Sequence, residues 1–215
     1  MKIKSLSVPR FFIDSLPGIL NTQCRVLLRC TEIHAEAPEI FAWLKQLRVA
    51  PYSYDFIDNR CRRSPDYIIE NLPPLKAHTH FLLAFHVLGF EEDSFIACRF
   101  CEPINPPVNQ YMKGMVIEYR IEKRGTNVQL WCKIKGYFNQ NISSQGFFVI
   151  FSVVNKIMMI KQLKNIKTLA ERLTRGQVET RTYDFAHCYA QSGIHWWLFC
   201  RRHNCKGLII EPVSD

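Results

Sequence analysis

The feature that most constrains this sequence is a long helical pattern in its last third. From Phe148 to Leu173, apolar residues recur near helical spacing, while lysines and an arginine occupy other positions. Arg175 and Gly176 follow as a basic last turn and a glycine stop. At about 1.5 Å of rise per residue, such a helix exceeds about 35 Å. The pattern therefore predicts a helix long enough to cross a whole β-sheet.

The residues before this helix have the composition and alternation of β-strands. Four segments show it: 78–88, 94–101, 115–122 and 128–138. The last two flank a hairpin-like connection at 123–127, and apolar and polar residues alternate in both. Such alternation predicts an antiparallel sheet with one buried face and one wet face.

The N-terminal part of the chain adds a strand and helices. Residues 23–33 alternate as a strand, and Pro38 and Glu39 fit the first turn of the helix that follows. Residues 54–59 predict a short second helix. Strand, helices, several antiparallel strands and a long closing helix form an α+β order.

Composition favours a soluble, cytoplasmic globular protein. Of the 215 residues, 47% are hydrophobic and 22% are charged, which are ordinary globular values. Nine cysteines, an odd number, and no apolar leader favour reduced thiols over a disulfide framework. We expect no apolar stretch of the roughly 18–20 residues that a membrane span needs. We expect three regions: an N-terminal lead segment at 1–22, a folded domain at 23–175, and a C-terminal extension at 176–215 that is rich in aromatic residues, Cys and His.

The formal net charge of +9 is compatible with an acidic partner. Nucleic acid is not expected, because such binding needs basic residues interleaved with exposed aromatic residues on one surface. The lysines of the long helix form the one candidate stripe, and a solvated helix face explains them more simply. Motifs of phosphate-binding loops, serine hydrolases and zinc proteases do not occur in the sequence.

One segment resembles a known family. The run from Trp43 to Asn59, WLKQLRVAPYSYDFIDN, is similar to a segment of bacterial START-like proteins. These belong to the SRPBCC superfamily, also described as polyketide cyclase/dehydrase or Bet v 1-like. The element order from Gln23 to Leu173 resembles their helix-grip fold, in which a curved antiparallel β-sheet wraps around a long C-terminal helix. The resemblance implies a cavity for an apolar ligand, and no particular reaction, because members include carriers, sensors, cyclases and hydrolases.

The predicted site combines an apolar lining with a few polar groups. Tyr54, Asp55, Asp58 and Asn59 would orient the ligand, and in an enzyme Asp55 or Asp58 would act as the base with Tyr54 as a donor. The alternative for both aspartates is structural, as a helix cap or as a partner of nearby arginines. Apolar contacts are expected from the strands and the long helix: Phe81, Leu83, Phe85, Ile117, Tyr119, Leu130, Ile134, Val154, Ile157 and Met158.

Three functions fit these features. The first is binding of a small hydrophobic or amphipathic molecule, lipid- or polyketide-like, without a cofactor. The second is a cyclase/aromatase-type or hydrolytic enzyme that uses a pocket carboxylate. The third is a lipid-surface or partner-binding module that uses the basic helix. The sequence leaves open the identity of the ligand, whether a reaction is catalysed, and the oligomeric state.

Two groups of possible metal ligands occur, and neither has the spacing of a standard zinc site. On a single strand, His78, His80 and His86 would share the face away from the core, with His80 and His86 about 20 Å apart. The extension contains the second group, which could bind zinc: Cys188, Cys200, His203 and Cys205, with His187 as an alternative to Cys188. We therefore predict no metal as the leading interpretation.

Overall fold

The computed structural model describes residues 8–55, 63–82, 85–100, 108–125 and 127–185. The chain divides into two compact units, Met1–Arg181 and Thr182–Asp215, and the elements below belong to the first. The described strands are β1 (Thr22–Ile33), β2 (Ile68–Ile69), β3 (His80–Phe81), β4 (Phe85–Glu91), β5 (Phe95–Phe100), β6 (Met112–Arg124), β7 (Asn127–Asn139) and β8 (Thr180–Arg181). The described α-helices are α1 (Ala37–Lys45) and α2 (Ile142–Thr174), and short 3-10 helices cover Phe12–Asp14, Gln46–Arg48 and Val108–Gln110.

Six strands form an antiparallel sheet in the order β1-β7-β6-β5-β4-β3. This arrangement confirms the antiparallel sheet that the alternation predicted. β6 and β7 are joined by a tight turn at Gly125, whose φ of +62° lies in the left-handed region that favours glycine. β2 and β8 form a separate two-stranded parallel ladder.

The register of β6 and β7 separates the two faces of the sheet. Tyr119 pairs with Cys132 and Ile121 pairs with Leu130, and these four side chains are buried in one core cluster with residues of α1 and α2. We call this side the inner face and the opposite side the outer face. The period of two in the sequence therefore directs alternate side chains toward the helices.

Both helices have local sequence signals at their ends. At the start of α1, the side chains of Glu36 and Glu39 each accept a hydrogen bond from the other's backbone N–H, a capping box. The Oδ1 atom of Asn141 accepts a 2.7 Å hydrogen bond from the backbone N–H of Ser144 and caps α2. α2 therefore begins six residues before the predicted start at Phe148, and it ends before Gly176, whose φ is +66°.

The outer face is covered by residues from the N-terminal segment. Phe11 and Ile13 are buried against Val116, Trp131 and neighbouring side chains in a second core cluster. The backbone N–H of Ile13 donates a 2.9 Å hydrogen bond to the carboxylate of Glu118, whose side chain is fully buried. The prediction of one wet face is therefore wrong, because residues 11–19 pack where alternation alone indicates solvent.

Residues 78–88 form a hairpin and not the single strand that the sequence predicted. β3 and β4 pair so that His80 lies opposite His86, and the ring centroids of His78 and His86 are 5.9 Å apart. The expected separation of about 20 Å between His80 and His86 is therefore wrong, since paired strands lie roughly 5 Å apart. The segment 82–85 contains no Gly, Pro, Asn or Asp to indicate the turn, although Leu82 adopts a φ of +47°.

The six-stranded sheet with α2 against its inner face is the helix-grip architecture that the resemblance implies. α2 also meets the length and composition of a membrane-spanning helix, alone among the described residues. The expectation that no apolar stretch reaches that length is therefore wrong by those two criteria. In the fold, α2 packs against α1, β1 and β7, so this helix is an integral element of the domain.

Candidate ligand-binding site

The inner face of the sheet gathers the described strand residues that were predicted to line a ligand site. They are all buried in the inner core cluster: Phe81, Phe85, Ile117, Tyr119, Leu130 and Ile134. Met159, Leu163 and Ile166 of α2 belong to the same cluster. The fold therefore brings these strand residues together under the helix, and their contact with a ligand stays a prediction.

The helix residues predicted for the same lining lie elsewhere. Val154 and Ile157 are 48% and 49% exposed, and Met158 is half-buried. The buried side of this part of α2 instead carries Ser152 and Met159. Val154 and Ile157, which were predicted to contact the ligand, therefore lie on the exposed side of α2. Apolar residues occupy both the buried and the exposed side of the helix here, so spacing alone does not distinguish the two.

The predicted polar group is only partly within the described residues. Asp58, Asn59 and the lining residue Leu83 lie outside them, and Tyr54 is 37% exposed. The carboxylate of Asp55 accepts hydrogen bonds from the backbone N–H of Ser64, at 2.9 Å, and from the Ser64 hydroxyl. These contacts support the structural alternative for Asp55, with serine as the partner.

A hydrogen-bonded pair that the sequence analysis missed connects the sheet to α2. The phenol of Tyr119 donates a 2.6 Å hydrogen bond to Oε1 of Gln162, and Nε2 of Gln162 donates a 2.6 Å bond to the carbonyl of Pro51. Both side chains are buried in the inner core. The signal for this pair was a glutamine at a core position of a helix, between Met159 and Ile166.

Tyr52 is held in an unfavourable backbone conformation beside this pair. Its φ is +54°, in a region that costs a non-glycine residue roughly 1–3 kcal/mol. The Tyr52 hydroxyl accepts a 3.0 Å hydrogen bond from Nε2 of Gln46, and its carbonyl accepts a 2.9 Å bond from Nδ2 of Asn165. Its ring packs edge-on against Trp43 at 5.8 Å. These contacts fix the connection after α1 against α2.

The titratable groups of the inner core are held neutral. Burial raises the pKa of Tyr119 well above its ordinary value, and the adjacent Cys132 and Cys98 add to the rise. Burial also raises the pKa of both thiols. At neutral pH the phenol and the thiols therefore carry no charge, which suits them to hydrogen bonding and packing better than to nucleophilic chemistry.

Five aromatic rings surround the first turns of α2, and we call them the aromatic cluster: Tyr111, Phe138, Phe147, Phe148 and Phe151. The ring of Phe138 lies 5.1 Å from that of Phe148 and 5.4 Å from that of Phe151. Phe147 stacks on Tyr111 at 5.0 Å. Phe138 is buried and the other four rings are partly exposed, so the cluster extends from the inner core to the surface.

Two serine hydroxyls on the buried side of α2 lack hydrogen-bond partners among the described residues. Ser144 is fully buried and Ser152 is 7% exposed, and both lie on the helix face that carries Phe148. An unpaired buried hydroxyl costs roughly 1–3 kcal/mol. The two serines therefore place buried hydrogen-bonding groups on the side of α2 that carries Phe148, a ring of the aromatic cluster.

The candidate metal ligands do not assemble a site within the described residues. No group of three or more His, Cys, Asp or Glu side chains that could hold a metal ion occurs there. Burial, together with the neighbouring His86, lowers the pKa of His80. The predicted zinc ligands all lie outside the described residues: Cys188, Cys200, His203 and Cys205.

The outer face has a small pocket of about 80 Å³, where Pro17 and Ile19 approach Gly114 and Tyr137. Pockets for small organic ligands are roughly 300–1,000 Å³. A methyl group added at Gly114 would lie 2.7 Å from the side chain of Ile19, so the N-terminal segment packs closely at this point. This pocket is therefore too small for a drug-sized ligand.

Comparison with known proteins finds similarity to solved structures. One is norcoclaurine synthase from Thalictrum flavum in complex with dopamine and hydroxybenzaldehyde, with 10% identity and a TM-score of 0.43 over 78% of this chain and 96% of that one. A second is the Zhui aromatase/cyclase from Streptomyces sp. R1128, with 13% identity and a TM-score of 0.43 over 70% and 95%. A third is major latex-like protein 151 from Panax ginseng, with 11% identity and a TM-score of 0.42 over 68% and 97%.

No family model matches the chain, and no curated protein matches its sequence. The assignment of fold therefore rests on the observed elements: six antiparallel strands in one sheet, α1 after the first strand, and a C-terminal α2 against the inner face. These elements together form a helix-grip fold.

Proposed function

We propose that this protein binds a small apolar or amphipathic molecule between the inner face of the sheet and α2. The proposal rests on two buried hydroxyls, those of Ser144 and Ser152, which lie beside the aromatic cluster and have no hydrogen-bond partner in the part of the chain that the structure describes. Ligand sites in proteins are mostly apolar and contain a few hydrogen-bonding groups that orient the ligand. The aromatic cluster provides the apolar part, and the serines provide the orienting part.

The contacts of the candidate polar groups favour a binding role over a catalytic role. The carboxylate of Asp55 is engaged by Ser64 and Tyr54 is partly exposed, and the inner core cluster, as far as the structure describes it, includes neither residue. The neutral phenol and thiols around Tyr119 likewise support a binding role. We further propose that the protein acts in the cytoplasm, where the four described cysteines remain thiols: Cys24, Cys30, Cys98 and Cys132.

The Ser152→Ala variant tests the proposal through two readouts of opposite sign. Removal of the unpaired hydroxyl should raise the free energy of unfolding by about 1 kcal/mol, since alanine is also a better helix former. The same change should weaken binding of N-phenyl-1-naphthylamine, a neutral apolar fluorescent probe with one N–H donor, by about threefold to tenfold. Urea denaturation and a fluorescence titration of the full-length chain measure the two effects.

Ser143→Ala is the matched control, because Ser143 is an exposed serine of the same helix. It should leave probe affinity unchanged. Phe151→Ala should weaken probe binding further, because it removes a ring of the aromatic cluster. If the wild type does not bind the probe, or if Ser152→Ala and Phe151→Ala bind it as well as the wild type does, the proposed site is wrong.

A further inference from the structure

The first half of α2 has an exposed apolar face opposite its buried side. The side chains of this face are between 48% and 88% exposed, and we call them the aliphatic face: Ile142, Val149, Ile150, Val153, Val154, Ile157 and Ile160. At 100° per residue they occupy one side of the helix over about 27 Å. Only 22% of the most apolar stretch of α2 is buried. Packing against the sheet therefore accounts for the apolar residues on one side of the helix and not for those on the other. An apolar surface of this extent indicates an interaction site.

The charges on α2 are all of one sign near this face. From Ile142 to Ala170 the helix contains four lysines and no acidic residue. Lys156 and Lys164 are exposed, and Lys161 is partly exposed. Lysine side chains can extend their ammonium groups away from an apolar surface toward phosphate groups at a membrane interface. The charged side chains that α2 itself contributes beside the aliphatic face are therefore all cationic.

We infer that α2 docks the protein on an anionic lipid bilayer, with the aliphatic face in the interfacial region and the lysines toward the acidic headgroups. The inference does not depend on the proposed ligand site, because the two use opposite sides of the helix. An apolar strip with basic neighbours is the composition of helices that lie in a membrane surface. The net charge of +9 adds long-range attraction to an anionic surface.

The composition of the face favours a bilayer over a protein partner. Protein interfaces are enriched in aromatic residues, methionine and arginine and are depleted in lysine. The aliphatic face contains only isoleucine and valine, with lysine at its border. A symmetric pair of copies that met through this face would also bring the lysines of the two helices together.

Co-sedimentation with vesicles tests the inference on the full-length chain. The wild type should bind phosphatidylcholine vesicles that contain about one third phosphatidylserine, and binding should weaken as salt rises. The triple variant Ile150→Ser, Val153→Ser, Ile157→Ser should bind about tenfold less, because it removes apolar burial at the centre of the face. The control Leu20→Ser, Val26→Ser changes two exposed apolar residues outside α2 and should bind as the wild type does.

A second variant changes the charge of α2 without changing a side chain that packs against the rest of the domain. Lys156→Gln, Lys164→Gln changes only exposed side chains and should reduce both the affinity for acidic vesicles and its salt dependence. The inference is overturned if the wild type does not bind acidic vesicles, or if both variants bind them as tightly as the wild type does. It is also overturned if the wild type is a dimer that the triple variant converts to a monomer, because the face would then belong to a second copy.

Discussion

At the scale of single residues, buried hydrogen bonds connect the inner face of the sheet to α2. Tyr119 and Gln162 are both buried, and each is the other's partner across the space between β6 and α2. Gln162 also binds the carbonyl of Pro51, and Asn165 binds the carbonyl of Tyr52. α2 is therefore positioned over the sheet by directional contacts as well as by apolar packing.

A double-mutant cycle on this pair should show strong coupling. Gln162→Leu should lower the free energy of unfolding by about 2–3 kcal/mol, because the Tyr119 hydroxyl and the Pro51 carbonyl lose a buried partner. Tyr119→Phe combined with Gln162→Leu should be less destabilising than the sum of the two single changes. Urea denaturation measures all four proteins, and additive effects would contradict a direct buried hydrogen bond.

At the scale of elements, the side chain of Asn141 stabilises the first turn of α2. Asn141 accepts the hydrogen bond of the Ser144 N–H, one of the backbone donors that a helix leaves without an internal partner. The residues that follow include Gly146 and several β-branched residues, which are poor helix formers. The cap therefore stabilises a turn that has little intrinsic preference for the helix.

Loss of this cap should destabilise the protein measurably. Asn141→Ala should lower the free energy of unfolding by about 1 kcal/mol, while Asn141→Asp should restore most of it. Gln140→Ala, at the exposed preceding position, is the matched control. Thermal and urea denaturation provide the measurement, and equal stability of the alanine and aspartate variants would exclude a capping role.

The element scale also shows what the sequence could and could not predict. β1, β5, β6 and β7 were predictable because alternation has a period that only a strand satisfies. The buried side of α2 was not, because Val154 and Ile157 are as apolar as Met159. The hairpin at β3 and β4 was missed because its turn contains none of the usual turn residues. Gln162 could have been noticed as a polar residue in a core position, whereas Ser144 and Ser152 required the structure.

At the scale of the whole molecule, the sheet has a core on each of its faces. The outer core includes Phe11 and Ile13 from the N-terminal segment, and the ion pair between Asp14 and Lys133, at 2.7 Å, holds the same segment. The ring of Phe12 stacks on Phe95 at 5.6 Å. Residues 11–14 are therefore part of the packed domain.

Truncation of one side chain in this segment should measure its contribution. Ile13 is fully buried, so Ile13→Ala should lower the free energy of unfolding by about 2–5 kcal/mol, as in an ordinary core. Val8→Ala, at a residue that is 54% exposed, should change it by less than about 0.5 kcal/mol. Equal effects of the two changes in urea denaturation would show that the segment is dispensable.

The pairing of β1 with β7 places side by side the strands that come first and last along the chain within the six-stranded sheet. Ile13 likewise finds its hydrogen-bond partner 105 residues later, and Asp14 finds its ion-pair partner 119 residues later. During synthesis, β1 and the N-terminal segment therefore leave the ribosome long before anything exists for them to pair with. The nascent chain must keep β1 unpaired in solution until β7, which ends at Asn139, has emerged, so neither core can close before then.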